Sequence, residues 1–194
     1  FLKTGGEALA ACIRIARHYT GKDHVIQLGY NGWINSLATG AMILPRQAAT
    51  HAPAGVPRAL SELHHVGRWN DLELLEEIFK QYEGQIAAVV VAADYADMAS
   101  GETFYPALRE LTEEHGSLLI LDEIVTGFRI AMGGVQEYFD IVPDMSVFSK
   151  GMANGMPISA YVGKKDIMSK CDRGENLSVS STFGGETLSL AAAK

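Results

Sequence analysis

Hydrophobic and polar positions follow two rhythms along this 194-residue chain. Leu9, Cys12, Ile13 and Ala16 recur at helical spacing and predict a helix from Glu7 to Tyr19, stopped by Thr20-Gly21. The same spacing places Leu72, Leu75, Ile78 and Phe79 on one face of a second helix, from an Asn70 N-cap to Tyr82. A third is predicted from Thr103 to His115, with Pro106 near its first turn. Between these lie short apolar runs at 25–28, 86–93, 118–121, 145–148 and 158–162, with a weaker one at 63–66. The run 86–93 is apolar at every position, as in a strand covered on both faces. Residues 164–170 predict a short helix, and 45–62, rich in Pro, Ala and Gly, a surface excursion without a clear element. Strands alternating with amphipathic helices predict an α/β fold, a mostly parallel sheet with helices on both faces.

Composition sharpens the class. The chain is 47% hydrophobic and 20% charged, enough for one domain with a sizeable core. A net charge of -7 argues against nucleic acid or an anionic membrane surface as the main partner. No apolar run approaches the roughly 18 residues of a membrane span. The first residues lack a signal peptide's basic start and apolar middle. Cys12 and Cys171 stand in no pairing or metal-like spacing, so a reducing, cytoplasmic setting is the simpler expectation. The chain opens on a glycine turn without a methionine and closes, at 188–194, partway along a helical pattern. It therefore reads as an internal piece of a longer protein.

Two residues bring chemistry into this frame. Asp122 ends the apolar run 116–121, and Lys150 follows the run 144–149 and precedes the glycine-rich segment 151–157. Strand ends in open α/β sheets face the ligand crevice. Asp122 alone is equally well a strand-end cap. Lys150 is harder to place as a surface lysine: desolvation between an apolar strand and glycines favours a neutral amine, which is a nucleophile able to form a Schiff base. Thr4-Gly5-Gly6-Glu7 precedes a helix, and free N–H groups at a helix start suit phosphate. Ser180 to Gly185 is a second hydroxyl- and glycine-rich segment before a helix, and Tyr30 follows a strand and offers an aromatic face. Each of these three is weak alone. Together with a lysine and an acid they fit pyridoxal 5'-phosphate better than any other cofactor. No Gly-x-Gly-x-x-Gly follows a first strand, against a nicotinamide dinucleotide enzyme.

Two long segments carry a resemblance. Residues 118–136 read Leu-Leu-Ile-Leu-Asp-Glu-Ile-Val-Thr-Gly-Phe-Arg-Ile-Ala-Met-Gly-Gly-Val-Gln, and 143–160 read Pro-Asp-Met-Ser-Val-Phe-Ser-Lys-Gly-Met-Ala-Asn-Gly-Met-Pro-Ile-Ser-Ala. The chain resembles the class III, fold-type I aminotransferases, most closely the branch typified by glutamate-1-semialdehyde 2,1-aminomutase. The resemblance runs over residues 1–194 and implies the cofactor-binding large domain, a three-layer α/β/α unit, without the terminal small-domain segments. It implies that Lys150 is the Schiff-base lysine and that Asp122 pairs with the pyridine nitrogen. Ile124 would pack under the ring and Tyr30 stack on its other face. Gly5 and Gly6 match the phosphate turn, and Asp97 the position of a residue near the ring oxygen. Thr182 matches a threonine that reaches the neighbouring subunit's cofactor, which implies a homodimer. The implied activity is transfer of an amino group between an amino donor and a carbonyl acceptor. A 2,1-aminomutase, or a silent homologue that uses the cleft for binding, are the alternatives.

The chain departs from the family pattern in four places. Gly6 stands for a hydroxyl residue, Asn31 for a histidine, Ala92-Ala93 for Glu-Pro, and Asp97 for an asparagine. Among the remaining candidates, His64-His65 has poor metal spacing, since strand neighbours point to opposite faces. With His18, His24, His51 and His115 scattered, no metal site is expected. Arg129 has two readings, a partner for a substrate carboxylate and a loop-stabilising cation; the second is commoner.

Overall fold

The computed structural model describes residues 1–34, 55–172 and 174–194. Helix α1 (Gly5–Thr20) leads into β1 (His24–Leu28), and a short α2 (Arg58–Ser61) precedes β2 (His64–Val66). There follow α3 (Leu72–Gln81), β3 (Ile86–Val91), α4 (Gly101–Glu114) and β4 (Leu118–Asp122). The last part holds α5 (Val135–Tyr138), β5 (Met145–Phe148), β6 (Ala160–Gly163), α6 (Lys165–Met168) and α7 (Thr187–Ala193). The six strands form one sheet in the order β2-β1-β3-β4-β5-β6. Every neighbouring pair is parallel except β5 and β6, which are antiparallel.

Strand pleating sorts the core into two layers. Val25, Ala88, Val90, Leu118, Ile120 and Val147 face α1. Ile26, Leu28, Val89, Val91, Leu119 and Leu121 face the side covered by α3 and α4. β3 is buried at all six positions, so its residues serve both layers. This is the expected α/β architecture with a mostly parallel, mixed sheet.

Element ends differ in instructive ways. The N-cap of α3 is Asp71, whose carboxylate accepts from Leu74 N at 3.0 Å. Asn70 precedes it with φ 56, a left-handed turn residue rather than the cap. α4 starts at Gly101, so Pro106 lies in its second turn. The run at 158–162 becomes strand only from Ala160, and as the antiparallel edge it leaves Val162 exposed. Residues 45–54 of the expected excursion, and His51 with them, lie outside the described residues, while 58–61 are helical.

The parallel order fixes where a site can form. The chain leaves β1 toward β2 on one side and returns to β3 on the other. The carboxyl ends of β1 and β3 therefore flank a topological switch point, where open α/β sheets bind ligands. At that end Leu28 pairs with Val91, Val91 with Leu121, and Asp122 with Val147. The segments carrying Tyr30, Asp122 and Lys150 thus emerge at one edge. The opposite edge holds His64 and His65. His64 lies between Gln27 Oε1, 3.0 Å from Nδ1, and Arg17 Nη2, 3.3 Å from Nε2, while His65 stacks on Tyr82.

Candidate active site

A cavity of about 330 Å³ opens at the carboxyl edge of the sheet. Its walls bring together Gly5, Gly6, Tyr30, Asp122, Ile124 and Lys150, six of the residues singled out in the sequence. Three strand ends and one helix start contribute them, because the parallel register ends β1, β4 and β5 on the same side.

Asp122 is the last residue of β4 and is only 7% exposed. Asn31 Nδ2 donates to its Oδ2 at 3.1 Å, and the Ile124 N–H donates to its Oδ1 at 3.1 Å. Burial pushes the Asp122 carboxyl up to about 6, against the pull of these two donors and of the Lys150 cation. Asn31 itself is 1% exposed, and its Oδ1 has no hydrogen-bond partner. A protonated ring nitrogen is a group that an acid of this kind accepts from.

Ile124 leans on the first turn of α1. A Cβ built on Gly5 would lie 2.8 Å from Ile124 Cγ1, so only glycine permits this approach. At Gly6 the nearest atom to such a Cβ is Ile34 Cδ1 at 3.8 Å, an ordinary contact. The hydroxyl residue that the family carries there is absent here although the space for it exists. Thr4 caps the helix in a capping box with Glu7, whose N–H donates to Thr4 Oγ1 at 3.3 Å. The N–H groups of Gly5 and Gly6 fall in the first turn and have no intrahelical acceptor. They border the cavity together with the positive end of a 16-residue helix.

Lys150 stands at the mouth. Ser149 is buried and donates from Oγ to the Ile158 carbonyl at 2.9 Å. Lys150 then turns left-handed, φ 36, into a 3-10 turn at Lys150–Met152. This geometry leaves the side chain exposed, which corrects the expectation of a desolvated amine: the strand ends at Phe148, and none of the described residues roofs it. Among the described residues the amine makes no hydrogen bond or ion pair. Tyr30, 49% exposed, borders the same opening after Gly29, whose φ of 76 turns the chain off β1.

Two of the singled-out residues lie elsewhere. Asp97 does not line the cavity; Ser100 Oγ donates to its carboxylate at 2.7 Å and Trp69 Nε1 to its carbonyl at 3.1 Å. Thr182 is exposed in the segment before α7, away from the cavity walls. Tyr95 and Asn31 do line the cavity, and neither was selected from the sequence for a site role. Asn31 had a signal, since it follows Tyr30 directly at the end of β1. Tyr95 had none. Arg129 is exposed and, among the described residues, its guanidinium enters no ion pair, so the loop-stabilising reading finds no partner. Among the described residues no group of three or more His, Cys, Asp and Glu side chains could hold a metal ion. In the same residues no helix is long and apolar enough to cross a membrane.

The residues present fit pyridoxal phosphate. A buried acid meets a ring nitrogen, two glycine N–H groups at a helix start meet a phosphate, and an unpaired lysine shares the cavity with both.

Comparison with known proteins points the same way. The family described as Aminotransferase class-III matches residues 1–194. A glutamate-1-semialdehyde 2,1-aminomutase of Polynucleobacter asymbioticus is 37% identical over 201 residues, covering 98% of this chain and 46% of its own. An omega-transaminase from Sphaerobacter thermophilus superposes with a TM-score of 0.87 at 25% identity, over 99% of this chain and 47% of its own. A Sphingopyxis sp. protein solved in a PLP form superposes with a TM-score of 0.76 at 26% identity, over 98% of this chain and 44% of its own. The chain thus spans just under half the length of the relatives it matches.

Proposed function

The chain belongs to the class III aminotransferases, and from that premise we propose that it is the cofactor-holding part of a pyridoxal-phosphate enzyme that moves amino groups. The observation that carries this reading is the convergence of Lys150, Asp122 and the Gly5-Gly6 turn on one cavity. When bound, pyridoxal phosphate supplies a carbonyl that condenses with amines and a ring that withdraws electrons from the reacting carbon.

The protein's own residues have separable tasks. Gly5 and Gly6 hold the phosphate through backbone N–H groups at the positive end of α1. Asp122 accepts from the ring nitrogen and keeps a proton there, a task suited to a carboxyl whose proton affinity burial has raised. Ile124 and Tyr30 provide apolar walls on either side of the ring position. Lys150 would hold the cofactor through Nζ, and the same amine would serve as the general base that carries a proton from the substrate carbon. Its exposure fits a complete enzyme in which further structure covers the mouth. We assign that role to segments matching the part of the relatives' length that this chain does not span and to a second copy, with Thr182 serving the neighbouring subunit's phosphate.

A second reading is an aminomutase, in which both halves of the transfer occur on one substrate. The 37% identity to a protein of that name favours it. A screen of amino donors and carbonyl acceptors on the complete protein, followed by cofactor spectral change, tests the proposal. Transfer between two substrates supports the aminotransferase, and isomerisation of one substrate without an acceptor supports the mutase. A complete protein that binds pyridoxal phosphate yet turns over no donor would overturn both.

A further inference from the structure

Glu123 follows the proposed nitrogen acid and is 0% exposed, the more deeply buried of the two carboxyls. Its side chain points into the protein rather than the cavity. Thr126 Oγ1 donates to Oε2, as does the Val135 N–H at 2.9 Å, and the Gln136 N–H donates to Oε1 at 3.1 Å. Three donors and no acceptor are the partner set of a carboxylate. No cation pairs with it among the described residues. A buried acid held only by neutral donors is a costly arrangement.

The surroundings are shaped to it. Gly134, with φ 78, passes so close that a Cβ there would lie 2.7 Å from Glu123 Oε1. The Glu123 backbone is tied on both sides: its N–H donates to the Val147 carbonyl at 2.9 Å, and its own carbonyl accepts from Gly127 N at 2.9 Å. One residue therefore joins the end of β4, the strand β5 that leads to Lys150, the turn at 126–127 and the start of α5.

We infer that Glu123 is a positioning residue for Asp122, locking the strand-end turn that aims the acid and laying a second negative charge beside it. The inference rests on the reading of Asp122 as the partner of the cofactor's ring nitrogen. With burial as the main cause, the Glu123 charge adds to the upward push on the Asp122 carboxyl. A second carboxylate so placed strengthens the hold on a proton in the site without touching cofactor or substrate.

The test compares Glu123→Gln, Glu123→Asp and Thr126→Val with the unaltered complete protein, with Asp122→Asn as control. Two readings are taken: the carbon-13 titration of the Asp122 carboxyl in the cofactor-free protein, and kcat and KM in the loaded enzyme. Glu123→Gln is expected to move the Asp122 midpoint to lower pH. It should lower kcat by about tenfold or more while KM stays within about threefold. Glu123→Asp should restore part of both. An unchanged Asp122 midpoint in Glu123→Gln, with only thermal stability reduced, would overturn the inference. If Glu123→Gln does not fold, Thr126→Val decides, since it keeps the charge and loosens the lock. A fall in kcat at steady KM supports positioning, and an unchanged kcat overturns it. The underlying reading fails separately, if Asp122→Asn leaves the bound cofactor's spectrum and kcat unaltered.

Discussion

Asn31 Nδ2 reaches across the sheet from the end of β1 to donate to Asp122 Oδ2 at 3.1 Å, and both side chains are buried. This bond ties the loop that bears Tyr30 to the acid proposed to face the ring nitrogen. It also opposes the burial that pushes Asp122 up to about 6.

Replacing Asn31 by alanine removes that opposition. The Asp122 carboxyl should then titrate higher, by about 0.7 pH unit for a bond worth about 1 kcal/mol. Cofactor affinity should fall, because the loop carrying Tyr30 loses its anchor. Carbon-13 titration of Asp122 and a binding isotherm for pyridoxal phosphate check both effects. A downward shift of the midpoint would contradict the assignment of Asn31 as donor.

Gly5 and Gly6 are adjacent glycines with opposite prospects. Gly5→Ala drives a Cβ into Ile124 and should cost about 1–3 kcal/mol of stability, with weaker cofactor binding. Gly6→Ser meets only ordinary contacts and adds a hydroxyl beside the proposed phosphate position. It should tighten pyridoxal phosphate binding by about 0.5–1.5 kcal/mol, several-fold in Kd. Parallel binding isotherms of the two variants test the contrast.

The histidines at the far edge make stability sensitive to acid. Burial, with the Arg17 guanidinium next in effect, pushes His64 down to about 3 from its usual 6.5, and burial takes His65 to about 4. Arg17 only donates, so His64 Nε2 must accept, and protonation there would break the contact. The folded chain therefore refuses protons that the unfolded chain takes up. This contribution is complete above pH 6.5 and is lost as the pH falls from there toward about 4 and then about 3. Asp122 works in the opposite sense: its raised value favours the folded state below its ordinary 3.8, and that gain is lost as the pH rises through about 6. With two histidines against one acid, the urea midpoint of the cofactor-free protein should drop between about pH 7 and about pH 5. Substituting His64 and His65 together by uncharged residues should flatten or reverse that drop.

The layers of this fold were legible because burial leaves a periodic trace. The run 86–93 is apolar throughout, as a strand serving two layers must be. Asp122 and Lys150 were legible as polar residues closing apolar runs. Asn70 was misread as a cap because Asn and Asp are equally good caps, and only φ 56 distinguishes the turn residue from its neighbour. The exposure of Lys150 was illegible, since whether a strand end is roofed depends on segments distant in sequence. The bond from Asn31 to Asp122 joins strand ends that only the sheet order brings together, and Glu123 takes its partners from a turn and helix start whose fold back onto it leaves no periodic trace. The contact between Gly5 and Ile124 spans more than a hundred residues and leaves no local signal.

The most direct measurement is the absorbance spectrum of the complete protein and its Lys150→Ala variant after loading with pyridoxal phosphate. A band near the violet edge of the visible is expected in the unaltered protein, and borohydride should abolish it by reducing the lysine imine to a secondary amine, leaving the cofactor fixed to Lys150 after denaturation. Lys150→Ala should still bind cofactor through Gly5, Gly6 and Asp122, yet lose that band, the covalent link and turnover together. A variant that retained the band and turned over substrate would contradict the central role given to Lys150.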